Sequence, residues 1–84
     1  MPISEADVTV DGVYITSTDQ LRKVTRIEDG KVHYWSAGAN TKNPWNYGHS
    51  KAGPPSMDAF VHAVDRKLDD KEIATLVGDR AQPK

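Results

Sequence analysis

The chain has 84 residues, with 11 Lys and Arg against 12 Asp and Glu, 37% hydrophobic residues and no cysteine. A chain this short supports one core, because it buries only about 60–65% of the surface its unfolded form exposes, and a deep cleft between two domains is excluded. Disulfide scaffolds, zinc ribbons and thiol catalysis are excluded by composition, and the net charge of −1 argues against a protein that coats DNA, which needs a basic excess to displace counterions.

Residues 1–7 lack the basic opening and apolar run of a secretory leader, and no stretch approaches the roughly 18 apolar residues of a membrane span. A single domain over 1–84 is expected in reducing cytoplasm, with flexible ends at 1–7 and 79–84. Val8, Val10, Val13, Tyr14, Ile15 and Thr16 are β-branched or aromatic around Gly12. They read as two short strands, or one strand kinked at the glycine. A polar turn follows at residues 17–20.

The strongest local signal is a β-hairpin. Residues 21–28 and 31–36 flank Asp29-Gly30, a pair that supplies the positive φ angles of a two-residue type I′ turn. A tight turn sets Glu28 opposite Lys31, Ile27 opposite Val32, Arg26 opposite His33, Thr25 opposite Tyr34 and Val24 opposite Trp35. Alternation then puts Ile27, Val32, Thr25 and Tyr34 on the core side, and Glu28, Lys31, Arg26, His33, Val24 and Trp35 on the outer side. A three-residue turn with a bulge would slip this register by one residue.

Residues 37–56 are rich in turn formers, with a short strand expected near 45–49. A helix is expected over about 57–68. Ser56 is placed to cap it, Asp58 lies in its first turn, and Met57, Phe60, Val61, Val64 and Leu68 form its apolar stripe. His62 and Asp65 are spaced to meet on its surface. Residues 71–77 are a second helical turn or a final strand. Ile73, Leu76 and Val77 at helical spacing before Gly78 favour the helix.

The apolar-Gly-x-Tyr-apolar opening carried by Gly12, Val13, Tyr14 and Ile15, the twisted hairpin from Arg22 to Tyr34 through Asp29-Gly30 and the helix after it resemble a small SH3-like barrel with a C-terminal helix. Over residues 8–68 the pattern is similar to Tudor- and KOW-type barrels and to small bacterial or phage proteins of that kind. The resemblance implies an α+β fold: a highly bent antiparallel sheet of four or five strands with a helix packed on it. It implies binding rather than catalysis, of peptides, modified side chains or nucleic acid by aromatics at one end of the barrel.

Charge is unevenly spread. Residues 1–19 hold four carboxylates and no cation, residues 20–51 six cations against two carboxylates, and residues 52–84 five against six. The basic middle segment also holds the aromatics, and aromatic faces accept cations or stack on bases. Trp35, Trp45 and Tyr47 are the candidate stacking platforms. Arg22, Arg26 and Lys42 are the candidate contacts for anionic groups, with His33 beside them. The competing reading makes Tyr34 and one Trp part of the core, while the other Trp pins the loop. His33, His49 and His62 stand at no metal-ligand spacing, so no metal or other cofactor is expected. His49-Ser50 is the single hint of a nucleophile, with no nucleophile elbow or phosphate-cradling glycine loop, so the chain reads as a non-enzyme. The expected partner is another protein or a second copy, with nucleic acid the alternative and no membrane.

Overall fold

Strand β1 (Val13–Ile15) shows what the tertiary structure has to achieve: its three consecutive residues are all buried. Side chains alternate between the faces of a strand, so the sheet around β1 must be covered on both sides. In the computed structural model, which describes residues 3–41, 43–47, 53–78 and 80, it is. β1, β2 (Gln20–Glu28), β3 (Lys31–Gly38), β4 (Asn46–Tyr47) and β5 (Arg66–Lys67) form one antiparallel sheet in the order β4-β3-β2-β1-β5.

One face packs Tyr14, Val24, Val32 and Tyr34 with Val8, Phe60 and Val64. Phe60 comes from helix α1 (Met57–Ala63) and meets Tyr14 edge-on, with ring centroids 5.4 Å apart at 89°, and Tyr34 at 5.4 Å and 56°. The opposite face packs Val13, Ile15, Leu21 and Ala37 with Trp45 and Leu68. Its outer cover is the short helix α2 (Asp70–Glu72) and the π-helical turn (Ile73–Val77) that continues it, from which Ile73, Leu76 and Val77 pack half-buried on this second core. Among the described residues no helix is long and apolar enough to cross a membrane.

Two expectations from the sequence are corrected here. The helix expected over 57–68 ends at Ala63. Ser56 caps it by accepting the Ala59 N–H at 3.2 Å, but Val64 is already extended, at φ −101° and ψ 150°. The edge of β1 takes the chain from there: Asp65 N–H donates to Ile15 O and Leu68 N–H to Val13 O, both at 2.8 Å. The apolar stripe is thereby divided, with Phe60 and Val64 in one core and Leu68 in the other. The turn at Asp29-Gly30 is as the sequence indicates, with φ values of 52° and 72°. The register is not. It holds from Glu28↔Lys31 to Arg26↔His33 and then shifts, pairing Val24 with Tyr34 and Lys23 with Trp35.

Thr25 is the extra residue of this bulge, and its hydroxyl donates to His33 O at 3.2 Å. The bulge falls where β2 loses its other neighbour. Val24 still exchanges hydrogen bonds with the turn before β1, accepting from Asp11 N–H at 2.8 Å and donating to Gly12 O at 3.0 Å. Beyond it, among the described residues, β2 pairs with β3 alone. The change sends Val24, not Thr25, into the core beside Tyr34.

The N-terminal segment is part of this packing. Ile3 lies against the α1 core, and a 3-10 turn (Glu5–Asp7) leads into the buried Val8. The phenol of Tyr14 holds it in place, donating to Asp7 O at 2.7 Å and accepting the Thr9 N–H at 2.9 Å. A Cβ at Gly12 would come within 2.5 Å of that hydroxyl, so the glycine leaves the space that the latch occupies. Tyr14→Phe keeps the ring and strands both backbone groups. We expect it to cost about 1–3 kcal/mol, read as a lower urea midpoint at unchanged slope.

The Asp7 carboxylate accepts the Ser4 N–H at 3.0 Å and the Ser4 hydroxyl at 3.2 Å. The backbone bond first, then the hydroxyl, hold this carboxyl below its ordinary value of 3.8; desolvation opposes them and the charge of Lys67 adds to them. A lowered folded-state pKa stabilises the turn fully above the unfolded value, and that contribution is lost as pH falls through the folded value. The Ser4 amide should therefore hold its exchange protection throughout the pH range above that of an ordinary aspartate and lose it only as the pH falls below that range. Asp7→Asn should flatten that profile.

Candidate binding face of the hairpin

The candidate residues do not gather at one place. Trp45 is 3% exposed, within the second core, so its ring faces are closed and it is no open stacking platform. Its burial fits the competing reading, in which Tyr34 and one Trp belong to the core. Arg22 points to the α1 face: it pairs with Tyr14, and its guanidinium lies 5.0 Å from the Tyr34 ring centroid, with Nε donating to Gln20 at 3.2 Å. It is therefore separated by the sheet from Trp35, Trp45, Arg26 and His33. Tyr47 is in β4, in register with Trp35. Lys42 lies outside the described residues, as does His49.

Trp35, Arg26 and His33 do come together, on the face opposite α1. Arg26 Nη2 is 3.4 Å from His33 Nε2, and Arg26 Nε pairs with Glu28 at 3.1 Å. This ion pair is exposed on both sides, so it is worth no more than about 1 kcal/mol and leaves the guanidinium free to exchange partners. Trp35 is half-buried at the rim of the second core. The bulge adds a residue that alternation from the turn leaves out. Lys23, instead of Val24, stands opposite Trp35, with Nζ 5.8 Å from its ring centroid. Such a contact contributes about 0.5–1 kcal/mol at an exposed site. The face thus has a rim of Lys23, Arg26 and, by alternation, Lys31, set around one indole and answered by Glu28.

A second residue stood outside the candidate set: Arg80, whose guanidinium lies 5.8 Å from the Trp45 ring and bonds to the carbonyls of Asn43 at 2.7 Å and Thr41 at 2.6 Å. No local pattern points to it, because its partners are 37 and 39 residues away. His62 meets Asp58, not Asp65: its Nδ1 is 2.8 Å from Asp58 O and 3.5 Å from the Asp58 carboxylate. The chain leaves its helix at Val64, which carries Asp65 off that surface. Among the described residues no group of three or more His, Asp or Glu is placed to hold a metal ion.

The two tryptophans should separate on truncation. Trp45→Ala should cost about 3–5 kcal/mol, most of what a domain of this length has to spare. Trp35→Ala, at the rim, should cost clearly less and keep a cooperative thermal transition.

No protein-family model, curated protein or solved structure matches the chain.

Proposed function

We propose that the chain is a non-catalytic binding module that takes an acidic segment of a protein partner on the outer face of its hairpin. The observation carrying this reading is the bulge at Thr25, which pairs Lys23 with Trp35 and so builds a basic rim around a half-buried indole. A carboxylate-bearing chain laid across this face would gain charge-assisted hydrogen bonds from Lys23 and Arg26. The flanking hydrocarbon would rest on Trp35. Arg26 would exchange an exposed, weak pair with Glu28 for a pair in a drier interface. An apolar self-association has less to support it, since the large hydrophobic exposed among the described residues is Val10, at 52%. Lys23 capping the Trp35 ring also competes with a stacked base, which weighs against a nucleic-acid reading.

The same reading takes the sheet as a small barrel of the SH3-like kind. Support comes from the strand order, in which β5 returns to pair antiparallel with β1, the arrangement a meander adopts as it curls toward closure. Lining a strongly bent sheet with ligand contacts on one exposed face is what such a scaffold permits.

Titration of the labelled protein with a glutamate-rich peptide should shift the Lys23, Arg26 and Trp35 indole signals and should weaken with added salt. Lys23→Glu together with Arg26→Glu should reduce the affinity at least about tenfold, or about 1.4 kcal/mol. Binding that survives this double reversal unchanged refutes the assignment. A single-stranded oligonucleotide that binds where the peptide does not selects the nucleic-acid alternative, and a shift in sedimentation lost in the same variant makes the partner a second copy.

A further inference from the structure

The segment after β5 lies on the same side of the sheet as the hairpin's outer face, and it is held unlike the rest of the fold. Asp69 and Glu72 cap α2 reciprocally, at 2.8 and 3.3 Å, and Arg66 Nη1 donates to Glu72 at 2.7 Å. The backbone hydrogen bonds described beyond this point stay within the segment: Ile73 N–H to Asp69 O, Gly78 N–H to Ile73 O and Arg80 N–H to Val77 O. Among the described residues, what joins it to the sheet is the Arg66–Glu72 pair at its base, three half-buried side chains, Ile73, Leu76 and Val77, and at its far end one guanidinium.

That guanidinium sits in a ring of acceptors. Arg80 Nη1 donates to Asn43 O at 2.7 Å, and Nη2 to Thr41 O at 2.6 Å and Gly38 O at 3.1 Å. Nε and Nη2 reach Leu76 O at 3.3 and 3.1 Å, and the Trp45 ring closes one side. Among the described residues a single side chain thus ties the C-terminal segment to the loop after β3. Gly78, at φ 54° and ψ −133°, stands between the π-helical turn and this fastening, in a conformation that suits glycine.

We propose that residues 69–78 together with Arg80 form a releasable strap over Trp45, latched by Arg80, and that unlatching extends the aromatic face of the hairpin from Trp35 to Trp45. This rests on the hairpin face being the binding surface. Among the described residues the strap has the properties of a locally opening unit: partial burial, no ladder to the sheet, and two polar fastenings, the exposed Arg66–Glu72 pair at its base and Arg80 at its far end. It also has a chemical trigger. Carboxylates bind guanidinium more strongly than neutral carbonyls do, so an acidic partner on the adjacent face competes with Asn43, Thr41 and Gly38 for Arg80.

The test uses the full chain with Trp35→Phe, which leaves Trp45 the single indole. Acrylamide should quench its fluorescence weakly while Arg80 is present. Arg80→Ala should raise the quenching constant several-fold with the β-sheet circular dichroism retained, and added ethylguanidinium, but not ethylammonium, should lower it again. Equal quenching with and without Arg80 overturns the proposal. Should Arg80→Ala fail to fold, native-state hydrogen exchange on the unaltered protein decides: amides of the π-helical turn should exchange through an opening less costly than that of Val24 and Val32. Exchange of both sets by the same global event overturns it. Neither measurement contains a ligand, so failure of the hairpin assignment and failure of the strap are told apart.

Discussion

The organising constraint of this small fold is that its sheet is wet on neither side near the centre. Tyr14 faces one way, and Val13 and Ile15 the other, and all three are buried. One short strand therefore commits the chain to two covering layers. Among the described residues no second sheet supplies them, so the covers are small: α1 and the N-terminal turn on one face, and Trp45, Leu68 and the π-helical turn on the other. Division of the hydrophobic residues into two thin cores explains why so many side chains serve two purposes. The Tyr14 ring packs on Phe60 while its hydroxyl secures the backbone of residues 7–9.

The bulge at Thr25 follows from the same geometry. β2 is long, and its neighbours on the two sides are unequal: β3 runs along most of its length, while β1 and the turn before it reach only as far as Val24. A strand that leaves a three-stranded region for a two-stranded one must change its twist, and an extra residue on one strand is the usual means. The functional consequence is out of proportion to the local change. One inserted residue exchanges an apolar neighbour of Trp35 for a cation, and converts a mixed face into a basic rim about an indole.

Much of this architecture is legible in the residues. Asp29-Gly30 specifies the hairpin turn because its two positive φ angles are available to few dipeptides. Ser56 and Gly78 mark a helix start and a helical stop, at positions where backbone groups need a cap or a positive φ. A short strand in the loop after β3 is realised as β4. The helical spacing of Ile73, Leu76 and Val77 corresponds to a helical segment, drawn out into a π turn. The length of α1 is not legible, because the pattern of Phe60, Val64 and Leu68 is equally consistent with a continuing helix. The unpaired edge of β1 decides the matter by offering backbone partners to Asp65 and Leu68.

The candidate face divides along the same line. Trp35, Arg26 and His33 are neighbours because a turn and a period of two place them so, and both are written in local sequence. Their neighbour Lys23, the burial of Trp45, the position of Arg22 on the α1 face and the role of Arg80 all depend on which strand ends where, and on partners up to 42 residues distant. Local sequence determined the turn, the caps and the alternation, because each acts through adjacent backbone dihedrals. Tertiary structure alone decided the register beyond the bulge, the end of the helix and the side of the sheet on which each charge stands, because those outcomes depend on hydrogen-bond partners that only the assembled sheet supplies.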